Sequence, residues 1–274
     1  MADDDRLKSA SCRTKAQLDT TVAHIARVYD YWLGGKDNFA VDRELGDQVV
    51  EVYPDVFHSA RANRAFLARA VRYLAGDAGV RQFLDIGTGI PTANNTHEVA
   101  QRVAPSSRVV YVDNDPMVLA HARALLTSDP AGTTAYVDAD LRDVTSILDE
   151  ASGGLDFSKP VAVLLLAILH FIPDHEDPYG IVARLMSAVP SGSYLVISHA
   201  PGEMAADVTA ETVRRLNKLM AQKGTSRGKA EVAQFYKGLD LLEPGVVGIS
   251  KWRPNTEHEA AAPAGLWAAV GRKP

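Results

Sequence analysis

Carboxylates and glycines stand at the ends of apolar runs, and their spacing limits the chemistry open to this chain. The segment Asp85-Ile86-Gly87-Thr88-Gly89-Ile90-Pro91 places an acid two residues before a Gly-x-Gly turn. Asp113 and Asp115 close the next apolar run, and Asp138 and Asp140 the one after it. A strand that turns through Gly-x-Gly into a helix lets a ligand approach backbone N–H groups closely. Alone, that signal fits nucleotides generally. The acids narrow it. A crevice rich in carboxylates would repel a pyrophosphate, but it suits a ligand with an ammonium group, a sulfonium and a neutral adenosine. Asp113 is spaced to accept both ribose hydroxyls, each charge-assisted bond contributing roughly 1.5–3 kcal/mol. Asp140 could accept from an adenine amino group. The pattern Gly87-x-Gly89-x-x-Thr92 also lacks the third glycine of a dinucleotide site. Asp115 and Asp138 read as helix caps or solvated acids.

A second group lies nearer the amino terminus. Tyr29, Tyr31, Trp32 and Phe39 surround Gly34-Gly35-Lys36-Asp37-Asn38. Aromatic rings beside a sulfonium stabilise it by roughly 0.5–2 kcal/mol, and a glycine-hinged segment can serve as a lid. Trp32 reads as packing, whereas Tyr31, Lys36 and Asn38 divide evenly between ligand contact and turn chemistry. Arg61, Asn63 and Arg64 read as contacts from this segment to the core first, and as substrate contacts second. His170, after the fourth apolar run, is the candidate general base; the alternative is a histidine satisfied by backbone. His199 follows the fifth run in a similar position. Asp174-His175-Glu176-Asp177 invites a metal, but an acid-rich helix start explains it better without a second ligand cluster, so no metal site is assigned. Arg227 reads as a surface ion pair rather than an anchor for an acidic substrate.

The elements that must carry these residues alternate. Residues 1–15 form a polar, flexible tail, and residues 16–75 a helical cap or lid with breaks at Gly34-Gly35 and Pro54. Within it, Phe66, Leu67, Ala70, Val71 and Leu74 mark a helix over Ser59–Ala75. Residues 76–274 form the ligand-binding domain. Strands are expected at Arg81–Ile86, Arg108–Val112, Thr134–Val137, Val161–Leu169 and Tyr194–Ser198. Helices are expected at Thr92–Val103, from Asp115-Pro116 through Leu126, at Pro178–Val189 and at Glu203–Gln222. A further short helix is expected over Lys229–Tyr236. Leu239–Leu242, Val246–Trp252 and Leu266–Gly271 are strand-like and close by a hairpin. The implied fold is α/β, a Rossmann-like doubly wound, mostly parallel seven-stranded sheet with an antiparallel edge hairpin and an N-terminal helical extension.

Composition removes other classes. The chain has 274 residues, 46% apolar, and a net charge of −5, which disfavours a nucleic-acid partner needing a basic face. Cys12 is the only cysteine, so no internal disulfide forms. The acidic start Met1-Ala2-Asp3-Asp4-Asp5 lacks a secretory pattern, and the longest apolar run is too short to span a membrane. A cytoplasmic protein is expected.

The run Phe83-Leu84-Asp85-Ile86-Gly87-Thr88-Gly89, then Val110-Tyr111-Val112-Asp113, Asp138-Ala139-Asp140-Leu141 and Ala167-Ile168-Leu169-His170-Phe171, resembles class I S-adenosylmethionine-dependent methyltransferases from about Arg81 onward. The segment from Ala26 to Phe39 is similar to the signature of an actinobacterial S-adenosyl methyltransferase family of unknown substrate, over nearly the whole chain. The resemblance implies that Asp85, Gly87 and Gly89 hold the methionyl part, Asp113 the ribose, and Asp140 with Leu141 the adenine. Thr88, Pro91, Asn114, Ala167, Tyr31 and Asn38 complete the cofactor-binding expectation. It supplies no catalytic residue, so His170 stands on its position alone. The expected activity is methyl transfer from S-adenosylmethionine to a small-molecule acceptor. The alternatives are a non-catalytic S-adenosylmethionine-binding sensor or partner protein and, less favoured, an NAD-dependent oxidoreductase.

Overall fold

A computed structural model of the chain describes residues 19–125, 128–200, 218, 223–263 and 265–274. The expected tail 1–15 and the expected helix Glu203–Gln222 fall outside them, apart from Lys218. Three helices come first: α1 (Ile25–Leu33), α2 (Ala40–Val52) and α3 (Val56–Gly76). The expected breaks separate them. Gly34 ends α1 at φ +81°, donating its N–H to the carbonyls of Asp30 and Tyr31, which is how glycine stops a helix.

The sheet then builds by alternation: β1 (Gln82–Ile86), α4 (Thr96–Val103), β2 (Arg108–Asp113), α5 (Pro116–Leu125), β3 (Thr133–Asp138), α6 (Val144–Ala151), β4 (Ala162–Leu166), α7 (Pro178–Ser187) and β5 (Tyr194–His199). After the helix Lys229–Gln234 come β6 (Asp240–Leu241), β7 (Val247–Gly248), the short helix Glu257–Ala261 and β8 (Trp267–Arg272). The strand order is β3-β2-β1-β4-β5-β8-β6, with β7 also on β8. Neighbours β3 to β5 are parallel, and β8 is antiparallel to β5, β6 and β7. Because β6 meets Gly271 and Arg272 while β7 meets Trp267 and Ala268, the two short strands share one edge position. Seven lanes result, as expected.

Several boundaries differ from the expectation, three of them for a reason visible in the chain. The helix expected from Thr92 begins at Thr96, because Asn95 and Glu98 form a reciprocal cap. The fourth strand stops at Leu166 rather than Leu169, because Ala167 turns to φ +53° and a 3₁₀ turn follows at Leu169–Phe171. The strand expected over Val246–Trp252 yields after Gly248 to a 3₁₀ turn, Ile249–Lys251, that delivers Trp252 into the core.

Strand residues alternate between two apolar layers. On one side Leu84, Val163, Leu165 and Ile197 meet α6, α7 and the helix Lys229–Gln234 through Ile147, Leu185 and Val232. On the other, Phe83, Leu164 and Val196 meet α3 and α4 through Phe66, Leu74 and Val99. The uninterrupted apolar run of β4 follows from burial on both faces. A smaller cluster around Val28, Trp32, Val49 and Val56 joins α1 and α2 to the start of α3. Among the described residues no helix is long and apolar enough to cross a membrane.

Arg69, buried on α3, ties this layer to the terminal hairpin. Its Nε donates to the Trp252 carbonyl at 2.9 Å and its Nη2 to the Ile249 carbonyl at 2.8 Å. Substituting Arg69→Leu leaves both carbonyls without that donor. Urea unfolding should show a loss of about 2–4 kcal/mol with an unchanged m-value.

Candidate active site

The carboxyl ends of β1, β2, β3 and β4 open on one cavity, roofed by α1 and α3. Asp85, Gly87, Thr88, Gly89, Asp113, Asn114, Asp140, Leu141 and Ala167 all line it. Strand direction explains the convergence, since parallel strands bring their carboxyl ends to one edge of the sheet.

The glycine turn has both of its glycines at positive φ, +74° at Gly87 and +66° at Gly89. A Cβ on Gly87 would come within 2.8 Å of the Ile168 side chain, so this position needs glycine for space as well as for conformation. Gly89 donates its N–H to Asp113 Oδ2 at 2.9 Å, and Asp115 donates to Asp113 Oδ1 at 3.0 Å. An ionised carboxylate offers about four acceptor sites, so Asp113 keeps capacity for a further donor. Burial pushes its carboxyl above the ordinary range, against the pull of those two N–H groups.

Asp85 is more strongly affected. Burial raises its pKa from 3.8 to about 6, opposed by the hydrogen bond from Thr96 Oγ1 and by the charge of Arg64. Arg64, on α3, also lines the cavity; its Nη2 donates to the carbonyls of Ala93 and Asn94. Its Nε is buried with no partner. A buried donor left open beside a cavity is an unmet requirement for an acceptor. At the far end, burial favours a raised pKa for Asp140, but N–H donors of Arg142 and the Asn114 amide hold it below the ordinary range. Arg142 in turn bonds Glu176 at 2.6 Å.

Four expected residues do not line the cavity: Pro91, Tyr31, Asn38 and His170. Tyr31 donates to Asp47 at 2.7 Å on the α2 side. Tyr29 occupies the cavity wall instead, since two residues along a helix rotate a side chain by about 200°. Asn38 closes its own loop through Asp30 Oδ2 and the Gly35 carbonyl. Pro91 follows Ile90, which is drawn into an apolar cluster with Ala26 and Met117.

The His170 ring lies against Phe171, with its centroid 5.7 Å from that of His199. Burial, with His199 and Arg227 alongside, pushes its pKa down to about 3, so it is a poor proton acceptor at neutral pH. His199 is likewise lowered by burial to about 4. It accepts from Arg227 Nη1 at 2.9 Å and sits 2.7 Å from the Ala200 carbonyl through Nδ1.

Arg227 requires a correction. It is no surface residue: its side chain is 1% exposed. It bonds Asp174 and His199 and the carbonyls of Leu169 and Ile172. Those bonds engage all five guanidinium donors, leaving none for an acidic substrate. Asp174, Glu176 and their neighbours form the expected helical start, as a 3₁₀ turn, and no group of metal-ligating side chains occurs among the described residues.

Sequence reasoning missed His24, Leu67, Arg142, Ile168 and Phe171 in the lining. Asn63, Arg64 and Leu67 share one helical face, a signal available once α3 is drawn. His24, whose Nδ1 stands 2.8 Å from Asp115 Oδ2, carries no such pattern.

Ala167 is the backbone outlier of the wall. A non-glycine residue at φ +53° costs about 1–2 kcal/mol and persists only where its surroundings hold it.

Comparison with known proteins places this geometry. The model of the S-adenosyl methyltransferase family matches residues 11–274. A DUF574 family protein from Streptomyces avermitilis is 47% identical, with 94% of this chain and 100% of that one aligned at a TM-score of 0.90. A candidate methyltransferase from Thermobifida fusca is 39% identical over 96% of this chain and 99% of its own, with a TM-score of 0.84. A curated relative, the carboxy-S-adenosyl-L-methionine synthase of Geobacter metallireducens, is 26% identical over 164 residues. That match spans 58% of this chain and 61% of the relative's length. The chain belongs to the S-adenosyl methyltransferase family.

Proposed function

We propose that the cavity holds S-adenosylmethionine and that the protein transfers its methyl group to a small-molecule acceptor. The observation that carries this reading is the charge layout of one wall. Asp85 and Arg64, whose Nε has no partner, both line the cavity and feel each other's charge, a pair suited to the ammonium and carboxylate of an amino acid. Asp113, one strand away, offers free acceptor capacity for ribose hydroxyls, and Asp140 with Leu141 forms the adenine end. The glycine turn permits close approach between the two.

The residues present fit that ligand: Arg64 has an open donor, Gly89 has open space where a Cβ would stand, and the acids suit cationic and hydroxyl groups. When bound, S-adenosylmethionine supplies a methyl group already activated by positive sulfur. The protein's part is alignment and exclusion of water. Ile168, Phe171 and Ile172 supply an apolar wall, and α1 and α3 cover the opening, with Tyr29 on the inner face. We assign no general base, because His199 is buried and bonded to Arg227, and His170 lies outside the cavity lining with its pKa pushed down to about 3. An acceptor that is already nucleophilic needs none. The same observation favours a second reading, a binder without turnover. The relative from Geobacter metallireducens supports the cofactor by its name.

Calorimetric titration with S-adenosylmethionine, S-adenosylhomocysteine and NAD tests the assignment: both sulfur ligands should bind and NAD should not. NAD binding with no response to S-adenosylhomocysteine would overturn it. Substituting Asp113→Ala should weaken S-adenosylhomocysteine binding at least tenfold, about 1.4 kcal/mol, in a variant whose circular dichroism is unchanged.

Asp85 generates a pH prediction. Because its folded pKa is raised from 3.8 to about 6, the folded protein binds the proton more tightly than the unfolded chain. Stability from this group is therefore lost as pH rises from about 4 to about 6. Substituting Asp85→Asn should stabilise the ligand-free protein above pH 6 by about 2–3 kcal/mol. The gain should fade as pH drops towards 4, and S-adenosylhomocysteine affinity should fall. Denaturant melts across that range, paired with titration, check both signs.

A further inference from the structure

Ala167 forms part of the cavity wall, and its left-handed backbone turns the chain so that the Ile168 side chain lies over Gly87. Something must hold that bend, and a continuous chain of hydrogen bonds reaches it. The Ala167 N–H donates to Ser198 Oγ at 2.9 Å, and the Ser198 carbonyl lies 3.1 Å from the same nitrogen. Ser198 Oγ donates to Asn63 Oδ1 at 2.6 Å. Asn63 Nδ2 donates to the Tyr29 hydroxyl at 2.9 Å, and Tyr29 donates to the Ala60 carbonyl at 3.1 Å. Ser198 and Asn63 are buried, so a break strands polar groups away from water.

We propose that Ser198, Asn63 and Tyr29 are positioning residues: their relay locks Ala167 in its left-handed conformation and thereby sets Ile168 against the glycine turn. The relay begins on β5, crosses to α3 and ends on α1, so docking of the first helix and shaping of the cavity wall occur together. Each member has one defined role. Asn63 must point its oxygen at Ser198 and its nitrogen at Tyr29, and Tyr29 accepts one bond while donating another.

The bend offers a direct test, since glycine adopts positive φ without the penalty alanine meets. If the relay acts through Ala167, glycine there makes it dispensable. Substituting Ser198→Ala should weaken S-adenosylhomocysteine binding about fivefold in calorimetry, with Tyr29→Phe acting in the same direction. Ala167→Gly alone sets the reference affinity, because this residue lines the cavity. Adding Ser198→Ala to it should cost less than about twofold, a coupling that a double-mutant cycle measures. A loss of about fivefold in that background as well would overturn the proposal. The ligand measurement rests on the S-adenosylmethionine reading; amide exchange on the ligand-free protein does not. Exchange at Ala167 should quicken in Ser198→Ala and in Tyr29→Phe. Unchanged exchange in both variants would sink the relay even if S-adenosylhomocysteine binds. Quickened exchange with no binding by the unaltered protein would sink the cofactor reading and leave the relay standing.

Discussion

Asp85 and Asp113 are buried side by side at the carboxyl ends of neighbouring parallel strands, and the surrounding architecture answers the cost of desolvating them. Thr96 reaches back from α4 to Asp85, while the amides of Gly89 and Asp115 converge on Asp113. The glycine turn is therefore braced from two sides, by a carboxylate at one end and by Ile168 over Gly87 at the other. The hydrogen bonds to both acids come from neutral donors, Thr96 and the amides of Gly89 and Asp115, and among the described residues no cation is bonded to either. A ligand bearing an ammonium group and hydroxyls meets that shortage, and a pyrophosphate would worsen it.

A different economy of charge governs the far side of β4 and β5. Arg227 is wholly buried, and its guanidinium gathers the carbonyls of Leu169 and Ile172, the Asp174 carboxylate and His199. This clamp shapes the loop that supplies Ile168, Phe171 and Ile172 to the cavity. Burial, with the Arg227 charge adding to it, keeps both nearby histidines neutral, so groups that look like acid–base catalysts by position serve as packing, and in His199 as a hydrogen-bonding element. In the same wall, the bend at Ala167 is held by groups from three separate elements. The helices ahead of the sheet are thus continuous with the site: α3 fills one apolar layer of the sheet, and α1 and α3 carry the polar contacts that reach β4.

Much of this was legible in the residues themselves. The alternation of apolar runs and helical stripes, the Gly-x-Gly turn and the acids closing successive runs are local patterns, repeated at the spacing that backbone geometry imposes. They determined the parallel sheet, the edge hairpin and the position of Asp85, Gly87, Gly89, Asp113 and Asp140 at one rim. Tertiary structure decided what local pattern cannot encode. Tyr29 rather than Tyr31 faces the cavity because of the rotation at which α1 docks. Val161–Leu169, apolar throughout, stops pairing at Leu166 because Ser198, on another strand, captures the Ala167 amide. Arg227 is an internal clamp because its partners Leu169, Ile172 and Asp174 lie more than fifty residues away and His199 on another strand. Periodicity reports which face of an element is apolar; which polar groups meet, and which are left open for a ligand, depends on contacts between residues far apart in the chain.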